Sequence, residues 1–205
     1  MPKLAKKRKF YGRDKGKSKK TWYSLITLLN RLRAKHEDWG GLGTLKFADG
    51  SYYEGQIKNE KDQHLFHGKG KRSHVDGSCY WGEWKDGKAD GNGIMIKNIG
   101  LEGANRLGGF NYSSYDGDWK NDVRHGHGKE TWDNGKSSYE GSFANNEKTG
   151  QGEFKTQEAE YHGAFKANVF DGEGTYHDKE NGKRLIGTFK NNQFIKGTME
   201  MSDGS

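Results

Sequence analysis

Tyr115-Asp116-Gly117-Asp118-Trp119-Lys120-Asn121-Asp122-Val123-Arg124-His125-Gly126-His127-Gly128 is the stretch whose reading decides the fold. Its first five residues alternate: Tyr, Gly and Trp fall at odd positions and two aspartates between them. Side chains alternate across a strand, so one face carries rings and glycine and the other carries charge. The polar run Lys120 to His125 then reads as a turn, and Gly126-His127-Gly128 as the return strand. The stretch is a β-hairpin.

The same phrase recurs along the chain. Tyr53-Glu54-Gly55-Gln56-Ile57 precedes Gly68-Lys69-Gly70, and Tyr80-Trp81-Gly82-Glu83-Trp84 precedes Gly91-Asn92-Gly93. Tyr139-Glu140-Gly141-Ser142-Phe143 is followed by the polar run Ala144 to Lys148 and Gly150-Gln151-Gly152. Tyr161-His162-Gly163-Ala164-Phe165 precedes Gly172-Glu173-Gly174. A sixth copy, Leu185-Ile186-Gly187-Thr188-Phe189, keeps only Gly197 of its second glycine pair. Repeats thus start near 53, 80, 115, 139, 161 and 185, with an insertion over 98–114 and a half-repeat over 41–50. Asp49-Gly50, Asp76-Gly77 and Asn134-Gly135 stand between repeats, where such dipeptides favour tight turns. Gly55, Gly82, Gly117, Gly141, Gly163 and Gly187 have a structural reading: a strand glycine leaves a gap over which a neighbouring ring can lie.

Composition agrees with a thin structure. The chain of 205 residues has 32 Gly and 1 Pro, and only 30% of it is hydrophobic, too little for a thick closed core. Disordered chains are equally poor in apolar residues but also poor in aromatics, and here there are 6 Trp, 10 Tyr and 10 Phe. A lone hairpin is marginal in water, so stability has to come from stacking each hairpin on the next. The fold class expected is an all-β repeat array over 41–201, an elongated twisted ribbon of about six antiparallel hairpins.

The array as a whole resembles the MORN repeat, and the motifs quoted cover residues 41–199. Within that family the chain is most similar to short members made of repeats and little else. The resemblance implies a non-enzymatic scaffold or adaptor, often a structural component of the ciliary or flagellar axoneme. Its partners would then be proteins of a large cytoskeletal assembly, tubulin among them. Other family members are associated with membrane attachment, dimerisation and the cytoskeleton.

Charge is distributed unevenly. Residues 1–36 hold 13 Lys/Arg and the single acid Asp14, whereas the rest of the chain holds 22 Lys/Arg against 27 Asp/Glu. Residues 1–20 read as a basic tail. Thr21 is a plausible N-cap, and Trp22, Leu25, Ile26, Leu28, Leu29 and Leu32 share one helical stripe, so 21–36 reads as a short amphipathic helix. The plain interpretation of that helix is a cap on the end of the array; the alternatives are a partner-protein or membrane-surface contact. For the tail, Lys6, Lys7, Arg8, Lys9, Arg13, Lys15, Lys17, Lys19, Lys20 and the adjoining Trp22 are the candidate contacts with an acidic surface. Anionic phospholipid is the alternative target to protein, and nucleic acid ranks last because no base-reading module accompanies the charge.

The candidate partner surface of the ribbon is its aromatic, concave face: Tyr53, Tyr80, Trp84, Tyr115, Trp119, Tyr139, Phe143, Tyr161 and Phe165. Some of those rings must serve the internal stack instead. Catalytic chemistry finds no foothold. His67 and His125 occupy the same slot before Gly-x-Gly and read as turn residues, and the acids recur at equivalent outward positions. The Gly-x-Gly pairs lack the following helix of a phosphate loop. One cysteine, Cys79, excludes an intramolecular disulfide and fits a reducing, intracellular setting. No apolar run reaches the roughly 20 residues of a transmembrane helix. No metal or cofactor is expected.

Overall fold

The computed structural model describes residues 43–60, 63–98 and 112–201, all within the unit His36–Ser205. The basic tail, the helix expected over 21–36 and the middle of the insertion lie outside them. Among the described residues thirteen strands form one antiparallel sheet in strict sequence order. They are β1 (Gly43–Lys46), β2 (Tyr52–Glu60), β3 (Gln63–Ser73), β4 (Cys79–Lys85), β5 (Lys88–Asn98) and β6 (Tyr112–Lys120). After these come β7 (Val123–Trp132), β8 (Ser137–Ala144), β9 (Glu147–Lys155), β10 (Ala159–Lys166), β11 (Val169–Asp178), β12 (Arg184–Lys190) and β13 (Gln193–Glu200). The half-repeat supplies β1, and each full repeat supplies one first strand and one second strand. The ends of the insertion are themselves strand, with Asn98 paired to Tyr112.

Register explains the glycines. Gly117 of β6 pairs with Gly93 on one side and Gly128 on the other, Gly128 pairs with Gly141, and so on from Gly43 to Gly197. One glycine per strand therefore forms a row running across the whole sheet. A Cβ on Gly117 would lie 2.5 Å from the Gly128 Cα, 2.6 Å from the His127 oxygen and 2.7 Å from the Tyr115 Oη. On Gly152 it would lie 2.5 to 2.7 Å from the Tyr139 ring. The ring of each first-strand tyrosine covers the glycine of the second strand, so any side chain there would expel it.

The hairpin tips differ from the polar stretches read in the sequence. Lys120–His125 and Ala144–Lys148 contract to two-residue turns, Asn121-Asp122 and Asn145-Asn146, and their flanks continue the ladders. Both turn residues take φ of about +50° to +70°, the twist-matched turn that Asn, Asp and Gly tolerate best. His67 and His125 are strand residues for the same reason. The connections expected at the Asp-Gly dipeptides are not tight two-residue turns either. At Asp49-Gly50 and Asp76-Gly77 the loop has three residues, closed by Gly50 N–H to Phe47 O and Gly77 N–H to His74 O. There the glycines, at φ +84° and +85°, supply the left-handed residue of a bulged turn.

The tips also lock neighbouring repeats together. The second turn residue donates its N–H to a carbonyl of the preceding repeat, and its side-chain oxygen accepts the N–H of that same residue. Asn146 does this to Arg124 at 3.0 and 2.9 Å, and Asn192 to Phe170 at 3.0 and 2.8 Å. Asp122 holds Ala89, and Asn168 holds Lys148, in the same way. Gly87, lacking a side chain, makes only the backbone bond, to Phe66.

Candidate partner-binding face

The register slips just after the row glycine of β2, β4, β6, β8 and β10, and one residue later in β12. Between Gly117 and Trp119 the register to β7 slips, leaving Asp118 without a partner there. Its carbonyl is satisfied by Tyr115, whose Oη donates to it at 3.0 Å. Tyr53, Tyr80, Tyr139 and Tyr161 repeat the bond to Gln56, Glu83, Ser142 and Ala164. Burial pushes the Tyr53, Tyr139 and Tyr161 phenols up to about 12. They stay protonated donors, not acid–base groups. Trp119 lies on the tyrosine's own face, where its Nε1–H reaches the Gly93 oxygen at 3.0 Å.

The result is one continuous zigzag of rings. Tyr115 meets Trp119 of its own repeat edge-on at 5.1 Å and Phe143 of the next at 5.0 Å. Tyr139 meets Phe143 at 5.2 Å and Phe165 at 4.8 Å. Such edge-to-face pairs contribute about 0.5–1.5 kcal/mol each beyond area burial.

This corrects the expected partner surface. Tyr53, Tyr80, Trp84, Tyr115, Trp119, Tyr139, Phe143, Tyr161 and Phe165 are all 9% exposed or less and belong to one core cluster. Those rings pack on one another and on partly buried neighbours such as Met95, Phe154 and Tyr176, and they are spent on the internal stack. The candidate contacts at Lys6, Lys7, Arg8, Lys9, Arg13, Lys15, Lys17, Lys19, Lys20 and Trp22 lie outside the described residues.

What the ring-bearing face offers outward comes from the second strands. Two residues past each row glycine stand Arg72, Met95, Glu130, Phe154, Tyr176 and Met199, each paired in register with a first-strand core residue such as Tyr80, Tyr115 or Tyr139. Met95, Phe154 and Tyr176 are partly buried against the stack, while Met199 is 55% exposed. The signal was present in the sequence, in the position two beyond each Gly-x-Gly pair, but it changes character from repeat to repeat.

The middle of the face is charged. Glu130 is bound by Lys148 at 2.9 Å and by Arg124. The two cations lie over rings, Arg124 5.2 Å from the Phe143 centroid and Lys148 5.0 Å from that of Trp132. Burial alone would raise the Glu130 carboxyl, but Lys148 and then Arg124 outweigh it and hold it below its usual range. At the equivalent places of other repeats Phe66 and Phe170 stack on Tyr53 and Tyr161 at 4.1 and 3.8 Å. A ring and a cation thus fill the same slot.

The opposite face holds a shallow trough of about 610 Å³ floored by row glycines and edged by Glu140, Glu153, His162 and Ile186. Its carboxylates are already engaged: Glu140 with Lys129 at 2.9 Å, and Glu153 with Lys155 at 2.6 Å and His162 at 3.2 Å. Among the described residues no group of three or more His, Cys, Asp and Glu could hold a metal ion. Burial pushes the Cys79 thiol up to about 11, leaving it unreactive. No helix among them is long and apolar enough to cross a membrane.

The family model for the MORN repeat matches residues 39–52, 62–79, 80–101, 115–137, 139–156 and 161–183. The chain belongs to the MORN-repeat family. MORN repeats are non-catalytic units of protein-interaction or membrane-associated repeat proteins. No curated protein matches the chain. The matched segments stop before β12 and β13, where the tyrosine has become Leu185 and the first glycine of the pair has become Ile195.

Proposed function

We propose that this MORN array is a non-enzymatic scaffold that holds other proteins on the second-strand side of its ring-bearing face. The observation that carries the reading is the division between strands: first strands bury their rings, while Met95, Phe154, Tyr176 and Phe194 pack on the stack with one side left outward. A row of anchors on a stiff sheet suits the capture of a long partner segment. The basic residues 1–20 are proposed to reach an acidic surface of the same assembly, since one polyanion can engage many lysines at once.

The finer setting rests on resemblance. The insertion between the second and third full repeats, the ending Lys196-Gly197-Thr198-Met199 and the basic segment with Trp22 are similar to the third of the vertebrate MORN repeat-containing proteins. Its very lysine-rich first twenty residues set the chain apart. The proposed location is accordingly the cytoplasm and the ciliary or flagellar axoneme, with tubulin one candidate surface for the tail. Imaging of the tagged protein in a ciliated cell tests it: an axonemal signal that survives detergent is expected, and a diffuse cytosolic signal would sink the location. Deleting residues 1–20 should loosen attachment, and added salt on the intact protein should do the same.

A second reading, a peripheral anchor at anionic membranes, is favoured by the excess of 13 Lys/Arg over one acid in residues 1–36. Each basic residue near such a surface is worth about 1 kcal/mol. Sedimentation with vesicles rich in anionic lipid decides between them, because a protein scaffold stays in the supernatant.

A further inference from the structure

The outward row of the ring-bearing face is not uniform along the array, and its two ends differ in chemistry. Towards the N-terminal side stands Arg72 on β3, whose guanidinium lies over Phe47 and Phe66 at 5.3 and 5.5 Å. It makes no ion pair among the described residues, and its buried Nε has no hydrogen-bond acceptor. The nearest acid in effect is Asp49, held below its usual range first by Ser51 hydrogen bonds and only then by the Arg72 charge. Lys97, exposed and two residues beyond Met95 on the same face of β5, is likewise without an ion pair. In the middle Arg124 and Lys148 are occupied by Glu130. Beyond them the row turns apolar, through Phe154 and Tyr176 to Met199.

We infer that the partner segment held on this face is acidic at one end and apolar at the other, with carboxylates on Arg72 and Lys97 and apolar side chains over Phe154 and Tyr176. This rests on the protein-binding reading above and adds the chemistry and direction of the partner. Charge decides the first half: two cations that form no ion pair among the described residues, on a ring-lined surface, call for carboxylates, and the planar guanidinium suits a two-pronged one. Scale fits as well. From Arg72 on β3 to Tyr176 on β11 is eight strand spacings, about 38 Å. That is roughly 26 residues of helix or 12 of extended chain. A lipid surface suits the face less well, because Glu130 interrupts the positive charge with a carboxylate that would repel anionic headgroups.

The test is selection from a random 30-residue peptide library on the immobilised full chain, followed by binding titrations of the recovered peptides. Recovered peptides should carry Asp or Glu towards one end and Leu, Ile or Phe towards the other. Arg72→Gln and Lys97→Glu should each weaken them at least tenfold, and Phe154→Glu should do the same from the apolar end. Lys97 is exposed, so its variant leaves the fold intact even if Arg72→Gln perturbs β3. Peptides without acidic bias that are lost on Phe154→Glu but not on Lys97→Glu would overturn the acidic end while leaving the docking face in place. Acidic peptides untouched by all three variants, as attraction to residues 1–20 would give, overturn both. Vesicle binding abolished by Lys97→Glu would hand the face to lipid and overturn the inference.

Discussion

The third and sixth repeats carry the same plan with different parts, and the difference shows which parts matter. In the third, Tyr115 covers Gly128, closes the bulge carbonyl of Asp118 and meets rings on both sides. In the sixth, Leu185 can do none of the hydrogen bonding, and Ile195 replaces the glycine that takes φ +61° at Gly126. β13 has one strand neighbour, and its Ile195 and Met199 are 57% and 55% exposed. The hairpin still forms, because Phe189 and Phe194 pack and Asn192 clamps Phe170. The tyrosine–glycine pair therefore serves a repeat flanked on both sides, where the bulge carbonyl would otherwise be buried unsatisfied.

The largest expected contrast is in the glycine row. Gly117→Val meets the backbone of Gly128 and His127 as well as the Tyr115 ring, and should cost about 3 kcal/mol, the upper end for overpacking. Gly197→Val also meets backbone, at Ile186 and Gly187, and sits at φ +141°, but β13 has one strand neighbour and can peel away, so it should cost less, about 2 kcal/mol. The control Asp116→Ala should stay within about 0.5 kcal/mol. Denaturant titration of the three variants checks the order.

The tip clamp should give the next largest effect. Asn146→Ala loses the acceptor for Arg124 N–H and leaves alanine at φ +71°, about 2 kcal/mol in sum. The identical change at Asn192 should cost half of that or less. Equal losses would mean that position in the array is irrelevant to the clamp.

Acid should separate the two regions as well. Because the native Glu130 carboxyl is held below its ordinary value, its contribution is present above about pH 4.5 and fades as pH falls through the lower native value. The third and fourth repeats should therefore loosen between about pH 5 and 3. Glu130→Gln should flatten that part of the profile, read by denaturant midpoints across the range. The smallest effect concerns Ala167, which sits at φ +49° where the hairpin tips at Asp86, Asn121, Asn145 and Asn191 carry Asn or Asp. Ala167→Gly should stabilise by about 1 kcal/mol.

Much of the fold was legible in the sequence because alternation and glycine spacing are local. Tyr, Gly and Trp at odd positions of 115–119 place three side chains on one face without any knowledge of the neighbours. What escaped depends on register. Nothing local says that Gly128 lies opposite Gly141, or that the register to β7 slips at Asp118. Without the register the nine rings could not be divided between stack and surface, and all of them are stack. The outward residues stayed hidden because Arg72, Met95, Glu130 and Phe154 share a position but no chemistry. A motif search finds what repeats, and a partner-specific surface is built from what does not.

The division between buried first-strand rings and outward second-strand residues is tested most directly by two serine substitutions on neighbouring strands. Tyr139, fully buried, and Phe154, partly buried, are paired in register on β8 and β9. Thermal and denaturant unfolding of Tyr139→Ser should show a loss of about 3–5 kcal/mol, as for a core ring. Phe154→Ser should lose about 1 kcal/mol and keep the fold. Equal losses, or a larger one at Phe154, would contradict the division.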